Sequence, residues 1–274
     1  WNTSEVRLQV RRSTMALIGT LGTLLLHSVA VGLLGWTVSQ AVQAREQPSA
    51  EPFIALLAML TLWGILAFLA ELPGVQAVTY LQSVLELGQL GVAIGIPGVW
   101  TIYVLSYTGR GTGLTWRRIA MLAGIAVPVV LSGVVLAAAP SETTAQRALA
   151  PLIGWEILYL FGLFLYATYL LVGLGGNHAR VSNTHVAVLT LGVFAPYLVS
   201  VVGNGSSAVS NTAVGLLLSG GLLAFAVWRY PVTTGFPKAD YIARTRVVET
   251  LREAVVVLDW DDHVLDVNET TTEL

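Results

Sequence analysis

Seven apolar stretches, separated by short polar connections, occupy almost the whole chain: Met15–Val38, Phe53–Ala70, Val78–Tyr107, Ile119–Ala139, Leu152–Leu174, Thr184–Val202 and Ala213–Tyr230. Each is near or above the ~18–20 residues that a helix needs to cross the hydrocarbon core of a bilayer. A polar tail follows the last of them. The pattern predicts an all-α membrane protein, a seven-transmembrane helix bundle, with a short soluble segment at its end. Pro97, Pro128 and Pro196 fall inside spans and predict kinks that neighbouring helices accommodate. The longest connections are Ser39–Pro52 and Pro140–Pro151, too short to form a domain that catches a large ligand.

The tail changes period. Pro231–Pro237 reads as a helix stop and turn. Ala239–Glu253 has neither Gly nor Pro and predicts a linker helix. Tyr241, Val248, Leu251 and Val255 fall on approximate a and d positions, which suits a short parallel coiled coil between two protomers or one helix packed on its own domain. Ala254–Trp260 is β-rich, Asp261 and Asp262 make a turn, and His263–Asn268 alternates like a second strand. A two-stranded hairpin is not stable alone, so the chain is expected to stop inside a further domain. The division that follows is 1–14 as an N-terminal tail, 15–230 as the seven-span domain, 231–253 as linker and 254–274 as the start of that further domain. Residue 1 is Trp, and Met15 offers an alternative start. The first span is too long for a signal-peptide core and no small-residue cleavage pattern follows it, so it reads as retained.

Composition supports the membrane reading. The chain is 55% hydrophobic and 11% charged, with a mean hydropathy of +0.72, where a soluble domain carries about 25% charged residues. The absence of cysteine excludes disulfides and thiolate metal sites. A net charge of −2 points to no charged partner, and nucleic acid is not expected. Lys and Arg near span ends set the orientation. With the N-terminus outside, the inner segments hold Arg45, Arg110, Arg117, Arg118, Arg180, Arg229, Lys238, Arg244 and Arg246, against Arg7, Arg11, Arg12 and Arg147 outside. The bias favours N-out, C-in, a multi-pass protein of the cell membrane with its tail in the cytoplasm. Trp36, Trp100, Trp116, Trp155 and Trp228 lie near predicted span ends, where indole rings suit the headgroup level.

Polar groups inside the spans are the candidate functional residues. Thr79, Gln82, Glu86 and Gln89 recur at helical spacing and line one face of the third span. Polar groups at membrane depth are costly unless paired, so this face is expected to point into the bundle. Glu86 lies ~16 Å along the helix from Val75, and His27 ~18 Å from Met15 on the same side. The two share a depth, and a buried Glu86–His27 pair is one expectation. The alternative is structural, with His27 bonded to a carbonyl one turn back and the glutamines joining helices. Glu71 ends the second span and Glu156 opens the fifth beside Trp155; they either ring a small pocket at the outer surface or are solvated helix ends.

Other chemistries find little support. A covalent retinal pigment needs a Lys in the seventh span, and the single Lys is Lys238, beyond it; no cofactor is expected. His178 and His185 are seven residues apart with no third ligand nearby, so no metal site is expected. No nucleophile–base pair stands out, and no catalytic residue is assigned. Gly173, Gly175 and Gly176 end a membrane helix rather than follow a strand, so they are no nucleotide fingerprint. Spans one to three and five to seven show no repeat of the kind expected in a secondary transporter.

Several segments carry a family resemblance: LWGILAFLAEL in the second span, PGVWTIYVLSYTGR closing the third, and FAVWRYPVTTGFPKADYIARTRVVETL leaving the seventh. In order and spacing they resemble the N-terminal seven-transmembrane sensor family of histidine kinases. The tail VVETLREAVVVLDWDDHVLDVNETTTEL resembles the opening of a PAS domain. The resemblance implies a membrane input module that drives a cytoplasmic histidine kinase, as a homodimer, with a response regulator as downstream partner. It also implies an alternative output, a diguanylate cyclase. This segment has no phosphoacceptor His motif and no ATP-binding boxes, so it is expected to be no enzyme by itself. A seven-helix small-solute transporter is the reading outside signalling.

Overall fold

The computed structural model describes residues 3–47, 49–110, 115–177, 182–203, 209–234, 256–258 and 264–267. Among the described residues eight helices precede a pair of strands: α1 (Thr3–Gln43), α2 (Ala50–Ala70), α3 (Pro73–Gln76), α4 (Thr79–Tyr107), α5 (Trp116–Ala138), α6 (Glu142–Asn177), α7 (Asn183–Val202), α8 (Asn211–Arg229), β1 (Val256–Leu258) and β2 (Val264–Val267). Seven helices, all but the single turn of α3, are long and apolar enough to cross a membrane. The protein is a multi-pass membrane protein. β1 and β2 pair antiparallel, with Val256 opposite Val267. The expected linker helix 239–253 and His178 lie outside the described residues.

Three features differ from expectation. The segment expected as an N-terminal tail is helical from Thr3, so α1 begins well before Met15. Pro140–Pro151 is not a loop. Ser141 opens α6, its hydroxyl accepting from the Thr144 amide at 3.3 Å, with Glu142 favourable in the first turn. The helix continues through Pro151. Trp100 is not at a headgroup level. It is fully buried against Tyr103 and Phe164, whereas Trp36, Trp116, Trp155 and Trp228 are exposed.

The core runs through α1, α2, α4, α6, α7 and α8. α1 packs on α2 and α8, α2 on α4, and α7 on α8, while α5 leans mainly on α6 at the edge. Lipid tails are as apolar as leucine, so packing and hydrogen bonds, not burial alone, hold such helices together. Close approach is visible at Gly215 of α8, where a Cβ would stand 2.6 Å from the Pro196 Cα of α7. At Pro97 the α4 ladder loses an N–H, which leaves the Ala93 carbonyl without its helical donor. The Tyr197 hydroxyl of α7 donates to that carbonyl at 2.6 Å. α4 ends in a Schellman turn, with Gly109 at φ 71° and the Arg110 amide donating to the Leu105 carbonyl at 2.9 Å.

Candidate functional site

Two regions stand out, one where the chain leaves the seventh span and one in the opposite half of the bundle. The first begins with Arg229 and Tyr230 at the end of α8. The following residues do not leave the protein. Val232 and Thr233 are buried. The Tyr103 hydroxyl of α4 donates to the Val232 carbonyl at 2.9 Å. The Ser49 hydroxyl, between α1 and α2, donates to the Thr233 carbonyl at 2.6 Å, and the Ser49 amide reaches the same oxygen at 3.3 Å. The Thr233 hydroxyl donates to Gln47 Oε1. Chain segments some 130 to 186 residues apart are thereby clasped at one end of the bundle.

An aromatic wall backs this clasp. Tyr103 lies between Phe53 and Tyr107, with ring centroids 5.0 and 5.6 Å away. His185, in the first turn of α7, stacks on Tyr230 at 4.4 Å with 5° between planes, and meets Tyr107 edge-on at 5.9 Å. The His185 ring is fully buried and neither nitrogen has a hydrogen-bond partner. Sequence reasoning weighed His185 only as a metal ligand and missed this role. Among the described residues no group of three or more His, Asp or Glu side chains could hold a metal ion. The clasp was also missed; its one sequence signal is the Pro-Val-Thr-Thr turn directly after the last span.

In the opposite half of the bundle the structure separates residues that were expected to meet. His27 is buried on α1, facing the start of α8, where the Ser210 amide donates to Thr23 Oγ1 at 3.1 Å. The Thr23 carbonyl lies beside the ring, but neither His27 nitrogen achieves hydrogen-bond geometry. Glu86 is exposed on α4, and its Oε1 accepts from Gln82 Nε2 at 2.9 Å. α1 and α4 each pack on α2, which separates them, so the expected Glu86–His27 pair does not form.

Nor is the α4 stripe buried. Thr79 and Glu86 are exposed, while Gln82 and Gln89 are half-buried. This half of α4 touches α2 closely at Gly88, against Leu66, and its residues from Thr79 to Gly91 are exposed or half-buried. Glu71 caps α2 and accepts from Gln76 Nε2 at 3.4 Å; partial burial raises its carboxyl above the ordinary range. Glu156, expected at a surface, is buried on α6 with both carboxyl oxygens unpartnered. Tyr159, one turn on, stacks with Trp155 at 6.0 Å and donates to the Met121 carbonyl of α5 at 2.9 Å.

Nothing in either region has the parts of a catalytic centre. The arrangement is a seven-span bundle whose last span leaves through a hydrogen-bonded turn. Comparison with known proteins agrees with that architecture. No curated protein and no solved structure matches the chain. One family does, the N-terminal 7TM region of histidine kinase, whose profile covers residues 23–237 from mid-α1 to just past the clasp. The chain belongs to the family of N-terminal seven-transmembrane regions of histidine kinases.

Proposed function

We propose that the bundle is the sensory input module of a signal-transduction histidine kinase and works as a homodimer. The reading sets the N-terminus outside and the clasp at the cytoplasmic face. The β1–β2 pair then opens a PAS-type domain, and the output kinase follows it and phosphorylates a response regulator. The segment itself carries no enzymatic activity.

The observation that carries this reading is the clasp. A helix that simply anchored a domain would release the chain at the membrane surface. Here Val232 and Thr233, two and three residues after Tyr230, are held by α4 and by the α1–α2 connection. Any shift of α4 relative to α8 must therefore move the start of the linker. A stimulus acts by favouring one of two packings, and needs only a few kcal/mol of differential affinity to do so.

The test uses the full-length protein in proteoliposomes, with autophosphorylation as the readout. Ser49→Ala and Tyr103→Phe each weaken the clasp without changing side-chain volume greatly. Both are expected to shift basal phosphorylation several-fold while leaving the protein monodisperse. Output indifferent to both substitutions would overturn the relay. A second-messenger product in place of phosphoprotein would keep the relay and assign a diguanylate cyclase output. Solute uptake with no such output would favour a transporter.

A further inference from the structure

The first half of α4 carries polar groups on a face that the fold leaves uncovered. Thr79, Ser83, Glu86 and Leu90 follow the alternating spacing of four and three that keeps one side of a helix toward a partner helix. All four are exposed, Leu90 to 56%. Gln82 and Gln89 flank them and are half-buried. The close contacts of α4 with α2, at Gly88 and Gly95, and with α5, at Gly98, lie on other sides of the helix. The open face closes at the next position of the series, Ala93, whose carbonyl takes the Tyr197 hydroxyl of α7. Ala93 is also the middle of α4. Glu86 therefore lies ~10 Å from the middle of its span, inside the ~15 Å half-thickness of the hydrocarbon core. Among the described residues, the other exposed acids of the spans, Glu51 and Glu142, sit in the first turns of their helices. The exposed face of α8, by contrast, is apolar: Leu218, Gly221, Phe225 and Trp228.

We infer that this half of α4 is the seam between two copies of the chain, related by a two-fold axis along the membrane normal. Lipid offers Glu86 no hydrogen bond, and a carboxyl left against it is costly. Within the chain Glu86 Oε1 accepts from Gln82 Nε2 at 2.9 Å. Among the described residues Glu86 Oε2 and the Gln89 amide have no partner. A second copy lies in the bilayer with the same orientation, so such an axis sets each residue opposite itself at equal depth. The occupant must match the stripe, and the stripe matches itself. Side-chain amides carry both donors and acceptors, so the second N–H of Gln82 and the free oxygen of Glu86 in the two copies can serve each other. An apolar helix would leave them as lipid does. Thr79 and Ser83 are small enough for close approach, and the Ser83 hydroxyl is already satisfied by the Thr79 carbonyl at 3.0 Å. A single polar residue at a seam position also fixes register and the number of helices that join. This names the dimer seam of the reading above and rests on the homodimer in that reading. It gives the seam a route to the output as well, since Tyr103 of the clasp lies ~26 Å further along the same helix.

The chain has no cysteine, so single engineered thiols report on the seam. The experiment is copper–phenanthroline oxidation of such variants in phosphatidylcholine vesicles, diluted in lipid to suppress random encounter, with native mass spectrometry counting copies of the unaltered chain. A disulfide needs Cα atoms within about 7 Å, so Ser83→Cys and Leu90→Cys are expected to form linked dimers at least about tenfold faster than Leu81→Cys and Val84→Cys, on other sides of α4. Glu86→Leu is expected to weaken the dimer about three- to tenfold. Thiols at 83 and 90 that stay unlinked while the chain counts as a dimer overturn the inference and leave the homodimer standing. Linkage through Gly221→Cys, on the exposed face of α8, would then show where the copies meet. A chain that counts as a monomer overturns both, while phosphorylation judges the relay separately. In native membranes, a Ser83→Cys adduct of another mass, in place of the doubled one, assigns the face to a different protein and overturns the inference. Cross-linking keeps Glu86 in place, so it decides the matter even where Glu86→Leu fails to fold.

Discussion

His185 shows how much a single residue depends on its neighbours. In sequence it is a lone histidine near a span end; in the fold its ring stacks on Tyr230 and meets Tyr107 edge-on. With neither nitrogen hydrogen-bonded, the ring acts as an apolar plate. His185→Phe is therefore expected to keep stability within about 1 kcal/mol. His185→Ala is expected to cost about 2–3 kcal/mol in thermal unfolding in nanodiscs. Tyr103→Phe keeps the ring but orphans the buried Val232 carbonyl, which costs about 1–3 kcal/mol. Glu71 carries a pH signature. Its carboxyl is raised by partial burial, so the folded protein holds that proton more tightly than the unfolded chain. Its contribution is complete below the ordinary carboxylate range and is lost as pH rises through the raised value. Glu71→Gln is thus expected to melt slightly higher than the unaltered chain at about pH 7, with the gap closing near about pH 4. The gap stays small because the group is partly solvated.

Among the elements, the α7–α8 contact is the tightest test of packing. A Cβ at Gly215 would stand 2.6 Å from the Pro196 Cα and 3.2 Å from the Ala195 carbonyl, both backbone atoms that cannot swing away. Gly215→Val is expected to cost about 3 kcal/mol by forcing the helices apart. At Gly221 of the same helix nothing lies within 4 Å, and Gly221→Ala is expected to stay within about 1 kcal/mol. Element existence was legible throughout, because seven long apolar runs have few other solutions. Element ends were less so. α6 starts at Glu142 because Ser141 caps it, and it tolerates Pro151, whose local signal reads as a loop. α4 tolerates Pro97 because Tyr197, about 100 residues later, satisfies the freed carbonyl.

For the whole molecule, the orientation is the first property to measure. The chain has no cysteine, so one engineered thiol reports alone. Gln76→Cys lies at the end away from the clasp and Glu51→Cys beside it, both exposed. On intact cells a membrane-impermeant thiol reagent is expected to label Gln76→Cys and spare Glu51→Cys. The opposite pattern would reverse the N-out, C-in reading, and with it the cytoplasmic placement of the clasp.

The class of protein, its seven spans, the polar tail and the stripe of Thr79, Gln82, Glu86 and Gln89 were legible along the chain. These are local properties: a run of apolar residues or a helical spacing needs no partner to be read. Which polar groups meet was set by the fold. Depth along a helix is countable from sequence, and it made Glu86 and His27 look like partners. Neighbourhood is not countable, and α2 stands between them. The same limit hid the clasp of Ser49, Tyr103 and Thr233, and the burial of Glu156. Each depends on which helix faces which, and in a bilayer that choice is made by close packing and hydrogen bonds between segments far apart in the chain.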